Sequence, residues 1–360
     1  MLVQSYSHGA STKPLIGETL GANFDAAVKK WGKRDALVVR HQNIRWSYLE
    51  LQEKVNAFAA GLLSLGLEPG DRVGIWSPNN SEWVVVQYAT AKAGLILVNI
   101  NPAYRVAELE YAINKVSCKA LILASSFKSS DYVSMVDELA PEIRKSKPGD
   151  ISCVRLPSLK TVIQIGGETN DGYFDFEQIS GLASNKGRER LETLSGELQF
   201  DDPINIQFTS GTTGFPKGAT LTHFNVLNNG YFTGEGLKFT SSDKLCVPVP
   251  LYHCFGMVLS NVAALTHGAA LVYPAEAFDP LTVLETVEAE RCTALHGVPT
   301  MFIAELGHPN FKDFDLSSLR TGIMAGSPCP IEVMRRVVDE MHCKEMVIAY
   351  GMTETSPLLH

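Results

Sequence analysis

The sequence predicts an α/β protein built of doubly wound sheets flanked by helices. Two observations predict it. Short apolar runs alternate along the chain with amphipathic stretches of about ten residues, the pattern of parallel strands joined by crossover helices. The chain also has 360 residues, 45% of them hydrophobic and 19% charged, enough for roughly two or three hydrophobic cores.

The elements follow in order. Residues 36–39 read as a strand, and Trp46-Ser47-Tyr48-Leu49-Glu50-Leu51 opens a helix. Ser47 and Glu50 have capping-box spacing, Leu51, Val55, Phe58, Leu62 and Leu65 keep one face apolar, and Gly66 supplies the left-handed stop. Pro69-Gly70-Asp71 turns into a strand over 72–76. Helices over 81–93, 107–116 and 131–139 then alternate with strands over 95–98 and 119–123. From 141 to 203 the texture is loop-like: Lys147-Pro148-Gly149-Asp150, Gly166-Gly167 and the polar run Ser184–Arg190, with a clear strand only over 161–165. This is either a connecting region between two sub-domains or a decorated loop of one. We divide the chain into a first sub-domain with its connecting region, 1–200, and a second over 201–360. The second half predicts helices at 281–290, 299–306 and 331–341 and strands at 293–296, 319–325 and 346–350.

Bulk properties exclude several classes. The formal charge is −8 without a basic run, which argues against nucleic acid as a partner. The seven cysteines are odd in number and contain no C-x-x-C pair, so neither a disulfide framework nor a zinc site is indicated, and a reducing compartment fits. Met1 to Pro14 lacks an apolar leader core. The longest apolar tract, Met257 to Tyr273, is interrupted by Asn261, His267 and Gly268 and reads as a helix followed by a strand, not a transmembrane segment. There is no G-x-S-x-G, H-E-x-x-H or G-x-G-x-x-G.

The most informative stretch is Phe208-Thr-Ser-Gly-Thr-Thr-Gly-Phe-Pro-Lys-Gly218. Thr209, Ser210, Thr212 and Thr213 offer hydroxyls. Gly211, Gly214 and Gly218 let the backbone turn and present N–H groups, and Lys217 adds a mobile cation: a kit for polyphosphate. A Walker loop does not fit, because Pro216 stands at its second glycine and Gly218 at its Ser/Thr. The flanks, 204–208 and 219–221, both read as strands, with Thr222 as N-cap of a following helix.

This stretch resembles the phosphate-binding motif of the adenylate-forming enzymes: acyl-CoA synthetases, luciferases and peptide-synthetase adenylation domains. Further segments match in family order: Trp46–Leu51, Ala91-Lys92-Ala93-Gly94, Pro250-Leu251-Tyr252-His253-Cys254-Phe255-Gly256, Ala325-Gly326-Ser327-Pro328 and Ala349-Tyr350-Gly351-Met352-Thr353-Glu354. Asn99–Tyr104 and Asp202–Gln207 are similar to medium-chain fatty acyl-CoA ligases. The resemblance implies that a fatty acid is activated by ATP to acyl-AMP and passed to CoA, with Mg²⁺ present. It implies that Thr209–Lys217 hold the β- and γ-phosphates, that Thr353 contacts the α-phosphate and that Glu354 binds the metal. Tyr350, beside Gly351, would stack on adenine, Gly326, Ser327 and Pro328 would run along the base edge, and His253 would line the tunnel beside the carboxylate. Leu251–Cys254 supplies no acid to pair with a substrate ammonium, and Phe255–Leu259 is apolar, which suits a plain acyl chain.

The family's later motifs, a ribose-binding aspartate, a hinge arginine and a C-terminal lysine domain, have no counterpart here. The sequence is therefore expected to be a fragment, most of the large N-terminal domain, weakly active or inactive alone. The alternatives are a non-catalytic form that binds ATP or acyl groups and a kinase-like phosphate-loop protein. The expected compartment is the cytoplasm or mitochondrial matrix.

Overall fold

The computed structural model describes residues 12–209 and 214–359. Ser210, Gly211, Thr212 and Thr213 of the phosphate-binding stretch lie outside the described residues. The first half runs α1 (Leu20–Trp31), β1 (Asp35–Val39), β2 (Ile44–Ser47), α2 (Tyr48–Ser64), β3 (Arg72–Trp76), α3 (Ser81–Lys92), β4 (Ile96–Asn99), α4 (Val106–Lys115) and β5 (Ala120–Ala124). A small hairpin, β6 (Ser126–Phe127) and β7 (Ser130–Asp131), precedes α5 (Tyr132–Leu139), β8 (Thr161–Ile165), β9 (Phe174–Asp175), α6 (Phe176–Gly181) and α7 (Asn185–Glu197). Then come β10 (Pro203–Thr209), β11 (Lys217–Thr222), α8 (His223–Gly236), β12 (Lys244–Cys246), and a π-helix, Phe255–Val262, running into α9 (Ala263–Leu265). The chain continues through β13 (Ala270–Tyr273), α10 (Pro280–Glu290), β14 (Ala294–Gly297), α11 (Pro299–Leu306), β15 (Thr321–Met324), α12 (Ile331–Glu340) and β16 (Glu345–Ile348).

Two seven-stranded sheets result, in the orders β11-β10-β4-β3-β5-β8-β9 and β16-β15-β14-β12-β13-β1-β2. All neighbours in them are parallel except the edge pairs β10–β11 and β1–β2. Helices pack on both faces, as parallel sheets require. A central core draws side chains from both sheets, from α1, α2, α3 and α8, and from the π-helix. Two outer cores pack α4 and α5 against the first sheet and α10, α11 and α12 against the second. Helix α3 is buried almost all round, which fits its place between the sheets.

Most predicted elements stand where they were expected, and the capping box at Ser47 and Glu50 and the left-handed Gly66 are both present. The region 141–203 needs correction. Its polar run Ser184–Arg190 is not loop but the start of α7. Ser184 caps that helix by accepting from Gly187 N, and Leu191, Leu194 and Leu198 give it a thin apolar stripe. Gly187 lets it lie on α2, since a Cβ there would meet Ser64 Oγ at 2.3 Å. Strand β2 was also missed. Sheet membership does not follow chain order: β1 and β2 join the second sheet, and β10 and β11 join the first. A boundary at residue 200 therefore leaves neither sheet with one continuous stretch of chain.

Candidate functional site

In parallel sheets ligands sit at the carboxyl ends of the strands, and here those ends of the two sheets meet. Asn79, just after β3, donates to Val249 O (2.9 Å) and accepts from Leu251 N (2.8 Å). Asn99, ending β4, donates to Tyr252 O (2.9 Å). The segment 250–254 is thus held from the opposite sheet. Behind it lies a buried polar chain: Tyr273 donates to Asn261 (2.6 Å), Asn261 to Gln87 (2.8 Å), and Gln87 to Met257 O (3.1 Å). A cleft of about 420 Å³ opens beside Tyr252, lined by Asn79, Arg105, Lys128, Glu276, Phe278 and Met301 among others.

The hairpin β10–β11 confirms the strand–loop–strand reading. Thr209 and Lys217 face each other across it, Gly214 takes a positive φ of 103°, and Thr222 caps α8. Lys217 is exposed and makes no ion pair among the described residues. At the other end of the chain, residues 350–359 fold back on themselves. Met352 N donates to Pro357 O and Leu359 N to Tyr350 O, both at 2.9 Å. Gly351 is needed there, because a Cβ would meet Pro357 O at 1.9 Å. Asn229 of α8 clamps the fold, donating to Leu358 O (2.9 Å) and accepting from Leu358 N (3.1 Å).

These pieces converge. Thr209 Oγ1 donates to Glu354 Oε1 at 3.2 Å, joining the hairpin to the terminal motif across 145 positions. Thr353 is buried, with its Oγ1 3.7 Å from Cys254 Sγ. His253 is open to solvent, yet the protein around it lowers its pKa by desolvation. Its Nδ1 accepts from Phe255 N (3.1 Å), so the neutral ring carries its proton on Nε2 and presents a donor. Burial pushes the Cys254 thiol up to about 11, which keeps it protonated and a poor nucleophile near neutrality. Tyr350 is exposed. Gly326 follows β15 with φ 88°, and Ser327 and Pro328 are exposed beside it. Among the described residues no hydrogen bond joins that loop to the Thr353 corner. Sequence reasoning missed Asn229, Asn79 and the Gln87–Asn261–Tyr273 chain, because each acts on a segment far away in sequence.

The comparisons with known proteins agree with this geometry. The family model described as AMP-binding enzyme matches residues 24–360. The chain belongs to the AMP-binding enzyme family. It is 46% identical over 359 residues to the mitochondrial medium-chain acyl-CoA ligase ACSF2 of Danio rerio, covering 99% of this chain and 59% of that protein. It is 47% identical over 345 residues to the putative acyl-CoA synthetase YngI of Bacillus subtilis, covering 96% and 63%. The chain thus spans about three-fifths of the length of these relatives. Among solved structures, the anthranilate CoA ligase AuaEII in complex with anthranoyl-AMP superposes with a TM-score of 0.79 at 22% identity, covering 96% of this chain and 62% of that one. The N-terminal domain of FACL13 from Mycobacterium tuberculosis superposes at 0.74 and 22% identity, covering 94% and 77%. At such identities the likeness shows the fold: the large N-terminal domain of an adenylate-forming enzyme.

Proposed function

We propose that the protein containing this chain is an AMP-forming fatty acid:CoA ligase, acting on medium-chain acids. The observation that carries the reading is the Thr209–Glu354 hydrogen bond, with Thr353 against Cys254. It draws a phosphate-binding hairpin, a carboxylate and an acyl-side segment into one corner. The names of the most similar relatives support the substrate class.

The chemistry asks a carboxylate to attack an α-phosphate, so two anions must meet. Lys217 and the N–H groups of the hairpin neutralise the β- and γ-phosphates. Thr353 donates to the α-phosphate, and the Nε2–H of His253 faces the acyl carboxylate. No general base is needed, because a carboxylic acid is already ionised near neutral pH. Tyr350 offers its exposed ring to adenine, and the backbone of Gly326 and Ser327 lies along its edge. Glu354 is a single hard oxygen donor at an exposed position, and no cluster of three or more His, Cys, Asp or Glu suited to a metal exists among the described residues. That fits Mg²⁺, which takes one or two carboxylates and completes its shell with phosphate and water. Bound there, it would supply charge neutralisation at the phosphates. The cleft beside Tyr252, with Arg105 and Lys128 on its wall, suits an anionic co-substrate such as CoA.

No helix of the described residues is long and apolar enough to cross a membrane. The described cysteines are all free thiols, and relatives named as mitochondrial favour the matrix as compartment. The test is product identity. The full-length protein, given ATP, Mg²⁺, CoA and medium-chain acids, is expected to yield acyl-CoA, AMP and pyrophosphate; formation of ADP would overturn the reading.

A further inference from the structure

Residues 350–359 form a small antiparallel loop. Met352 N donates to Pro357 O and Leu359 N to Tyr350 O, so Gly351 and Leu358 face each other as the narrow pair between those bonds. In such a pair the N–H and C=O of each residue point away from its opposite number, towards whatever lies on the outer side. On the outer side of Leu358 stands one amide. Asn229 accepts from Leu358 N (3.1 Å) and donates to Leu358 O (2.9 Å). Both directions are forced, because a backbone N–H only donates and a carbonyl only accepts. Asn229 therefore stands where a further strand would supply a peptide group. Its Nδ2 also reaches Thr355 O, at 3.5 Å.

The loop held in this way carries two of the site's groups. Its turn, Thr353–Thr355, brings Thr353 against Cys254 and Glu354 against Thr209. Helix α8, which carries Asn229, is capped by Thr222 where the hairpin β10–β11 ends. About two turns of one helix thus separate the hairpin from the clamp. That helix is itself fixed: Gly230, the residue after Asn229, lies so close to the π-helix that a Cβ there would meet Val262 Cγ1 at 2.5 Å. The preceding residue, Asn228, makes the same kind of clamp on a different segment. It accepts from Ile16 N (2.7 Å) and donates to Ile16 O (3.0 Å). Two adjacent asparagines of α8 therefore hold two separate parts of the chain, and one of those parts bears Thr353 and Glu354.

We propose that Asn229 is a positioning residue for acid activation: through the backbone of Leu358 it sets Thr353 and Glu354 at a fixed place relative to the phosphate-binding hairpin. This rests on the ligase function proposed above and adds to it a residue that acts through another. The task suits an asparagine, which offers one donor and one acceptor from the same planar group. Alanine offers neither. Aspartate keeps an acceptor for Leu358 N but turns a second acceptor towards Leu358 O. The Thr209–Glu354 hydrogen bond does not replace the clamp, because it is exposed and joins two side chains, and it leaves the backbone of the loop unplaced.

The experiment uses the full-length protein and compares Asn229→Ala with Asn228→Ala. The readouts are acid-dependent exchange of labelled pyrophosphate into ATP and backbone hydrogen exchange of residues 350–359. In Asn229→Ala the kcat of exchange is expected to fall about ten- to a hundredfold, the cost of a misplacement on the order of 1 Å. KM for the acid is expected to stay at its wild-type value, and protection of the Leu358 N–H is expected to be lost. Asn228→Ala is expected to keep both the wild-type kcat and that protection. If Asn229→Ala does not fold, Asn229→Asp decides, and its kcat is expected to lie below wild type. Wild-type kcat in the folded Asn229 variant would overturn the inference while leaving the ligase function standing. Equal losses of kcat in the two alanine variants, or a loss in Asn229→Ala with Leu358 still protected, would overturn it too. Absence of acid-dependent exchange from the wild-type protein would overturn the ligase function itself, and this inference with it.

Discussion

The two sides of this site, the one proposed for nucleotide and the one proposed for the acyl group, are built on opposite principles. Lys217, Ser327, Tyr350 and Glu354 stand exposed on strand ends and turns, carried by short segments with their own backbone hydrogen bonds and joined to the rest by a few long-range contacts, Thr209 to Glu354 and Asn229 to Leu358. The proposed acyl side is the π-helix Phe255–Val262, buried throughout. It is held by side chains that arrive from both sheets, Asn99 of β4 and Tyr273 of β13, and from α3, Gln87. Gly256 shows how tight this packing is, since a Cβ there would meet Pro250 O at 2.5 Å. The lesson is a separation of duties. The rim side chains face solvent, where they can meet a charged ligand, whereas the wall formed by the π-helix cannot change without disturbing the core between the sheets.

The largest test of that separation is Lys217→Ala in the full-length protein. Loss of one electrostatic group is expected to lower adenylation by about 10²- to 10³-fold, with the melting temperature unchanged because the lysine is exposed and makes no ion pair among the described residues. A matching fall in stability would break the distinction. Asn261→Ala probes the other side. It strands Gln87 Oε1 and the Tyr273 hydroxyl in a fully buried place, so chemical denaturation is expected to show a loss of about 2–4 kcal/mol. Full stability in this variant would mean that the polar chain does not hold the wall.

Acidity sharpens the same contrast. Burial holds His223 near pH 4 and His296 near pH 3, against 6.5 for the ordinary side chain. Each binds its proton more readily when unfolded. Stability is therefore complete above pH 6.5 and falls as pH drops towards 4, by up to about 1.4 kcal/mol per pH unit for each histidine. His223→Asn, measured by denaturation at several pH values, is expected to show a shallower slope; an unchanged slope would contradict the assignment. The smallest effect is at Thr222, whose side chain caps α8 by accepting from Asn225 N at 3.2 Å. Thr222→Ala is expected to cost about 1 kcal/mol of stability and to leave adenylation close to wild type.

The same division explains what could be read from the residues alone. Local signals gave the hairpin proposed for the nucleotide: hydroxyls and glycines around Lys217, strand flanks, and Thr222 before a helix. Element order was legible too, because a capping box such as Ser47 and Glu50, or a stop such as Gly66, acts within a few residues. Helix α7 was misread because its apolar stripe is only Leu191, Leu194 and Leu198, and what fixes it is the approach of Gly187 to Ser64. The crossing of β1 and β2 into the second sheet leaves no local trace. Neither does the pairing of Asn79 with residues 249 and 251, nor the burial of His296 against Phe255 and Ser260. These depend on which segments meet, and a buried asparagine or histidine in sequence looks like any other.

The central claim is that this chain's corner joins a carboxylate to a nucleotide before any thiol takes part. Exchange of labelled pyrophosphate into ATP by the full-length protein tests it most directly, measured with a medium-chain acid and without CoA. The account predicts exchange that depends on the acid and proceeds in the absence of CoA. Exchange that required CoA, or that ran equally well with no acid present, would contradict it.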